Sequence, residues 1–324
     1  MKVAHFTVVT PGRCGLYETT RELVANLRLL GVDSRIFDPT HSDNTLHPGG
    51  DEDRGAKFCG EDWMESADVW VSHSGLGDWE LRNRTPWVYV AHGRPRSSHM
   101  IAKKGGLDLN SYLYNKNMDQ RLQAVVTFWP EHLKYLDFLL PDKKVVYVPP
   151  CVDLERWSPG PKEYDFAGES GTINAVITDS WRDDVDPFVP LNAFGAWARG
   201  RDDVKLHIYA TPPNQRGWAA LIQRLKDDGT LGVYQGWAGR LELVYRAADM
   251  VLTGNEIAVR TVREAMACGC PVVQFPTADI IHSATKIEAA LRQNRVFVRK
   301  QAEGIFNPVR TAEKFKGVLE DAIH

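Results

Sequence analysis

Short apolar runs bounded by glycine, proline and histidine alternate along this chain with stretches whose apolar positions recur every three to four residues. Alternation between the two-residue and 3.6-residue periods predicts an α/β protein built on parallel sheets. Residues 3–9 form a run of the fully buried strand kind, which leads through Thr10-Pro-Gly-Arg-Cys-Gly15 into a helix marked by Leu16, Leu23, Val24, Leu27 and Leu30. Residues 35–37 read as a second strand, and residues 38–66 as a long, glycine-rich, acidic excursion. Strands are predicted again over residues 68–73 and 87–92, each ending in a histidine, His73 and His92. Residues 124–128 and 145–148 close the series around a helix at 131–139. The large apolar residues of that helix predict core packing, with docking on a membrane surface as the alternative.

Residues 149–161 then break regular structure with repeated prolines and mark a domain boundary. A second series follows: strand 172–177, helix 188–198, strand 204–209, helix 218–226, strand 232–235, helix 240–248, strand 250–253 and a further helix. The expected architecture is two Rossmann-like parallel-sheet domains facing across a cleft, the first over residues 1–152 and the second over 153–305. Residues 306–324 contain an amphipathic helix expected to pack back on the first domain.

Composition changes this picture little. The 324 residues are 43% hydrophobic and 25% charged, which fits a folded protein, and a net charge of −3 excludes a globally basic nucleic-acid binder. Five scattered cysteines argue for a reducing compartment, and the absence of an apolar run of about 18 residues argues against a membrane span, so a cytoplasmic protein, at most peripheral to a membrane, is expected. Charge is uneven, however. Between residues 82 and 121 eight basic side chains, Arg94 and Arg96 among them, face two acidic ones. Such a run is either a solvated face or the docking surface for an anionic acceptor.

The candidate chemistry centres on residues 253–273, TGNEIAVRTVREAMACGCPVV. Glu256 precedes a helix and Glu264 lies eight positions on, a little over two helical turns, on roughly the same side. Asn255 or Glu256 is the expected N-cap, and Gly269 with Pro271 ends the helix. Arg260 and Arg263 fall near the first turn, where the helix dipole disfavours cations unless an anion binds there. The competing interpretation sends both arginines to solvent and gives Glu264 a surface partner. Gly12 and Gly15 allow close backbone approach to a ligand, while His73 and His92 sit at a carboxyl sheet edge, where α/β folds bind ligands. Cys268-Gly-Cys270 lacks the second Cys/His pair that a metal site needs and reads as buried thiols.

Taken together, these motifs resemble the retaining GT-B glycosyltransferases of the group 1 family, which carry two glutamates separated by seven residues and then AMACGxPVV, matched here by Glu256, Glu264 and residues 265–273. Residues 10–20 are similar to that family's first glycine loop, residues 148–159 to its interdomain segment, and Tyr234-Gln-Gly236-Trp237 and residues 243–249 to its later landmarks. The resemblance implies a metal-independent hexosyltransferase. Its donor would be a nucleotide sugar, with UDP favoured over GDP. The resemblance makes Glu256 and His92 the catalytic contacts to the sugar and assigns Glu264 to the ribose hydroxyls. The amides of Ala258, Val259 and Arg260 would meet sugar and diphosphate; Gly15, Gly236 and Trp237 complete the donor site. Two departures stand out: Ile257-Ala-Val259 replaces the usual Gly-Phe-Gly, and the phosphate lysine is missing, which leaves Arg182 and Arg260 to neutralise the diphosphate. If the basic stretch is a docking surface and not a solvated face, it suggests an anionic acceptor: a lipid phosphate, a sugar phosphate or hydroxylated DNA, with Arg94 and Arg96 as contacts. The alternative is a catalytically inactive nucleotide-sugar-binding or scaffold protein that kept the fold and lost the chemistry.

Overall fold

Two parallel sheets carry the architecture. The computed structural model describes residues 1–7, 15–38, 52–73, 84–92, 118–166, 171–179, 188–210, 217–236, 238–255, 257–275 and 282–324. The chain divides into two units, Met1–Cys151 with Phe306–His324, and Val152–Ile305. The second unit is joined to the first at both of its ends.

In the first unit, β1 (Lys2–Phe6), β2 (Asp33–Phe37), β4 (Ala56–Cys59), β5 (Val69–Ser72), β6 (Trp87–Ala91), β7 (Leu122–Thr127) and β8 (Lys144–Tyr147) run parallel. A two-residue antiparallel piece, β3 (Glu52–Asp53), lies at one edge, and the order is β3-β4-β2-β1-β5-β6-β7-β8. Each side chain alternates faces. One face sends Phe6, Trp70, Trp87 and Tyr89 into a core shared with α2 (Glu61–Glu65) and α3 (Leu133–Leu139) through Met64 and Leu136. Against the other face lie α1 (Gly15–Leu29), which packs on β2 and β4, and the last helix, α10 (Pro308–Ile323), which crosses β5, β6 and β7. Asn307 caps α10 by accepting from the Arg310 amide, with Pro308 at the first helical position. Burying Phe315 and Leu319 completely is worth about 1.5–3 kcal/mol each relative to exposure.

The segment expected to be irregular, residues 38–66, contains β3, β4 and α2. Ala56, Phe58 and Cys59 are buried because β4 extends the sheet beside β2. Four residues between two glycines are too short for periodicity to reveal.

In the second unit β9 (Ile173–Ile177), β10 (Val204–Tyr209), β11 (Leu231–Gln235), β12 (Met250–Thr253) and β13 (Val272–Gln274) form a parallel sheet in the order β11-β10-β9-β12-β13. The helices are α4 (Phe188–Trp197), α5 (Trp218–Asp227), α6 (Leu241–Ala247), α7 (Arg260–Ala267), α8 (Ser283–Leu291) and α9 (Arg295–Ile305). Strands β10 and β12 match the expected bounds. Helices α8 and α9 were not anticipated by the sequence reading. The core joins Ile177, Phe194, Leu206, Ile208, Leu225, Leu252 and Phe275. Two arginines of α9 close helix ends from outside: Arg295 donates to the carbonyls of Ala248, Tyr245 and Arg246, and Arg299 to that of Ala267. Cations at these ends meet the negative pole of the dipole and satisfy carbonyls that the helices leave unpaired.

Candidate functional site

In each sheet the connection changes direction once. From β9 the chain moves outward to β10 and β11, then returns to the opposite side at β12; from β1 it moves to β2 and β4, then returns at β5. The crevice outside the carboxyl ends of strands at such a reversal is where open α/β sheets take ligands. Polar side chains gather at both reversals.

At the β9/β12 reversal, Asp179 follows the end of β9 and is 3% exposed. The Thr261 hydroxyl, from the first turn of α7, donates to Asp179 Oδ1 at 2.7 Å, and the Thr253 hydroxyl, from the last residue of β12, donates to Asp179 Oδ2. Thr253 Oγ1 in turn accepts from the backbone amide of Asn255 at 3.0 Å and from its Nδ2 at 3.1 Å. Gln274, at the end of β13, donates to the carbonyls of Asn255 (3.0 Å) and Ile257 (3.1 Å), fastening the chain ahead of α7 to the sheet.

Helix α7 begins at Arg260, with Val259 at its cap position and no side-chain cap bond. This corrects the expected cap: Asn255 turns back onto Thr253, and three residues, 257–259, separate position 256 from the helix. Helical periodicity therefore does not place residue 256 on the face of Glu264. Both arginines of α7 turn inward, contrary to the solvated alternative. Arg263 is 4% exposed, and Arg260 Nε lies 2.5 Å from Glu264 Oε1 in a pair whose side chains are 13% and 6% exposed. The first amides of α7 have no intrahelical acceptor and point out of its N-terminus. Behind the helix Tyr245 is fully buried and bonded to Thr178 Oγ1 at 2.8 Å; burial first, and the nearby Glu264 carboxylate second, push its phenol well above the ordinary value. Cys268 and Cys270 are also fully buried, and burial raises both thiols to about 12. Among the described residues no cluster of histidine, cysteine, aspartate and glutamate could hold a metal.

At the β1/β5 reversal stand His5, His73 and His92. His73 follows β5 and is 2% exposed, while His92, following β6, is half-buried and packs edge-on against Phe128 with centroids 5.2 Å apart. Burial lowers His5 to about 3 and, with the neighbouring histidines, holds His73 well below its ordinary value.

Of the residues singled out from the sequence, Ala258, Val259, Arg260 and Glu264 lie together at the mouth of α7 and along its first turns. Gly15 is the first residue of α1, its carbonyl accepting from Thr19 at 2.8 Å. Gly236 is exposed just past β11, three strand positions from β12, about 14 Å at ordinary strand spacing. Glu256, Arg182, Trp237, Arg94 and Arg96 fall outside the described residues, as does most of the basic stretch. Sequence reasoning missed Asp179, Thr253, Thr261, Gln274, His5 and Ser34. The available signal was a polar residue in or just beyond an apolar strand, which is costly to bury without a partner.

No protein-family model matches the chain, and no curated protein does. Solved structures do match over its full length. Sucrose-phosphate synthase from Thermosynechococcus elongatus superposes with a TM-score of 0.72 at 15% identity, covering 99% of this chain and 98% of that one. Anabaena HepE in complex with UDP-glucose gives 0.71 at 13% identity, covering 99% of both chains, and the pneumococcal O-GlcNAc transferase GtfA in complex with UDP and GlcNAc gives 0.68 at 11% identity, covering 100% of this chain and 99% of that one. At these identities the likeness establishes the fold: the chain has the GT-B-like architecture of these glycosyltransferases.

Proposed function

We propose that this protein is a retaining glycosyltransferase that moves a hexose from a nucleoside-diphosphate sugar to an anionic acceptor. The observation that carries the reading is the buried Glu264 on α7 at the β9/β12 reversal, in a segment whose sequence resembles the donor site of group 1 glycosyltransferases. In this reading Glu264 holds the ribose hydroxyls, the amides at the mouth and in the first turn of α7 receive the diphosphate, and Arg260 and Arg182 share its charge. Cleavage of the anomeric C–O bond puts negative charge on the departing diphosphate, where oriented amides and a cation stabilise it without a metal. Glu256 faces the positive charge that develops at the anomeric carbon, and His92 bonds the sugar. UDP is the favoured nucleotide; UDP-glucose and UDP with GlcNAc are the ligands of two of the fold relatives. The acceptor is a lipid phosphate, a sugar phosphate or hydroxylated DNA, recognised by the basic stretch that includes Arg94 and Arg96.

The test is incubation with a panel of UDP- and GDP-sugars, with and without each acceptor class, reading nucleoside diphosphate release in the presence of EDTA. Release that depends on one donor and falls in Glu264→Gln supports the reading, and the anomeric configuration of the product by NMR tests retention. A second reading has one observation in its favour: Arg260 and Glu264 are engaged with each other. A scaffold protein that no longer binds donor would keep this pair closed. Release of no nucleotide from any donor, together with no thermal shift from UDP or GDP, would establish that reading instead.

A further inference from the structure

Arg260 and Glu264 are joined in the direction that a helix favours least. On α7 the cation comes first and the carboxylate one turn later, so the guanidinium stands at the positive pole of the helix dipole. The reverse order, with glutamate four residues ahead of the cation, is the stabilising one. No acidic residue stands in the first turn of α7 to offset the charge there. The pair is also withdrawn from water, its side chains 13% and 6% exposed and Arg260 Nε 2.5 Å from Glu264 Oε1. Taking two charges out of water is costly, and solvated pairs of this spacing contribute little in return. Helix stability therefore does not account for the pair.

Its position does. Arg260 is the first residue of α7, so an anion arriving at the mouth of the helix meets this guanidinium together with the first-turn amides. Each phosphate oxygen is an alternative acceptor for the guanidinium, in the place where the dipole favours negative charge. Transfer of Arg260 to the anion releases Glu264 at Oε1. A ribose presents two adjacent hydroxyls, and the hold that two donors make across one carboxylate competes with Arg260 for that oxygen. The two halves of a nucleoside diphosphate thus fall to one pair of side chains, which must separate to take up either.

We propose that the Arg260–Glu264 pair is a specificity latch: it withholds Glu264 from the ribose of a bare nucleoside and opens when a diphosphate draws Arg260 away, so that the site selects nucleoside diphosphates over nucleosides. The latch rests on the glycosyltransferase reading, in which α7 takes the donor. It is a coupling between two subsites, and such a coupling is reciprocal. Inorganic pyrophosphate should therefore tighten uridine by the same factor as uridine tightens pyrophosphate. Uridine is uncharged, so no attraction between the two ligands supplies that gain.

The experiment is isothermal titration of the full chain with UDP, with uridine, with inorganic pyrophosphate, and with uridine in the presence of pyrophosphate, run in parallel with GDP and guanosine. In the unsubstituted protein pyrophosphate should tighten the nucleoside about tenfold, the worth of one charge-assisted hydrogen bond. In Arg260→Met the nucleoside alone should bind more tightly than to the unsubstituted protein, the nucleoside diphosphate more weakly, and the effect of pyrophosphate on the nucleoside should vanish. A residue that merely kept the site folded would move both ligands in the same direction. Any further partner of Glu264 is common to the two proteins, so the difference between them reads residue 260. A diphosphate bound by the unsubstituted protein, with no gain for the nucleoside from pyrophosphate, overturns the latch without recourse to a variant and leaves the donor reading standing. Weaker nucleoside binding in a folded Arg260→Met protein does the same. Binding of neither UDP nor GDP to either protein overturns the donor reading, and the latch with it.

Discussion

Two glycines of the second unit share one backbone conformation and differ in surroundings, which allows the cost of a single contact to be isolated. Gly200 and Gly269 both have φ +75, the left-handed region that disfavours a side chain. A Cβ at Gly200 would meet nothing within 4 Å, whereas a Cβ at Gly269 would stand 2.9 Å from the carbonyl oxygen of Arg295. Gly200→Ala should therefore cost the backbone term alone, about 1–2 kcal/mol. Gly269→Ala adds an overlap with backbone at the start of α9, beside the guanidinium that holds three carbonyls near the end of α6; overpacking of that kind costs about 1–3 kcal/mol more. Urea unfolding followed by tryptophan fluorescence, fitted to the transition in which both variants move, reads the difference. Gly269→Asn separates the two terms further, because asparagine tolerates positive φ but carries the same Cβ. Equal losses for the two alanine variants, or full recovery by asparagine, would refute the assignment of a steric role to the Arg295 carbonyl. Since Gly269 ends the helix that bears Glu264, the proposed donor site predicts that nucleotide affinity falls in Gly269→Ala and holds in Gly200→Ala.

Other outcomes follow from the same geometry. Thr261→Val removes the 2.7 Å bond to the buried Asp179 carboxylate and should cost about 1.5–3 kcal/mol in urea unfolding, while Thr261→Ser should retain most of the stability; equal losses would refute the bond. Cys268 and Cys270, with thiols raised to about 12 and no exposure, should resist iodoacetamide at pH 8 in the folded protein and react in urea, read by peptide mass spectrometry. The His5 imidazole titrates at about 3 when folded and at about 6.5 when unfolded, so between those values unfolding takes up a proton. Its contribution is therefore complete above pH 6.5 and is lost as pH falls toward 3, by up to about 1.4 kcal/mol per pH unit. His5→Phe should flatten that slope in pH-dependent unfolding, and an unchanged slope would show that His5 does not titrate this way.

The strands of the second sheet were legible because each is an apolar run with a turn at both ends, and β10 and β12 could be delimited to the residue. The start of α7 was not. Asn255 has the chemistry of a cap, but it is engaged with Thr253 Oγ1, and the helix begins only at Arg260. Arg260 and Glu264 were visible as functional candidates, yet helical spacing alone could not distinguish a surface pair from the buried one. Helix α9 went unseen because its main work is done by Arg295 and Arg299 on carbonyls far away in sequence, and backbone acceptors leave no pattern. The row of histidines at the β1/β5 reversal was half visible. His73 and His92 end their strands, but Ser34 and His5 look like isolated polar residues until the strand order sets them side by side.

Gln274 fastens the segment ahead of α7 by holding two main-chain oxygens, those of Asn255 and Ile257, and, among the described residues, no side chain of that segment. The path of this loop is thus written in a residue on a different strand, and the side chains it displays are left unconstrained by the anchor. A designer wishing to alter ligand preference would exchange residues 257–259 as a cassette and leave Gln274 in place; the native Ile-Ala-Val is one such cassette.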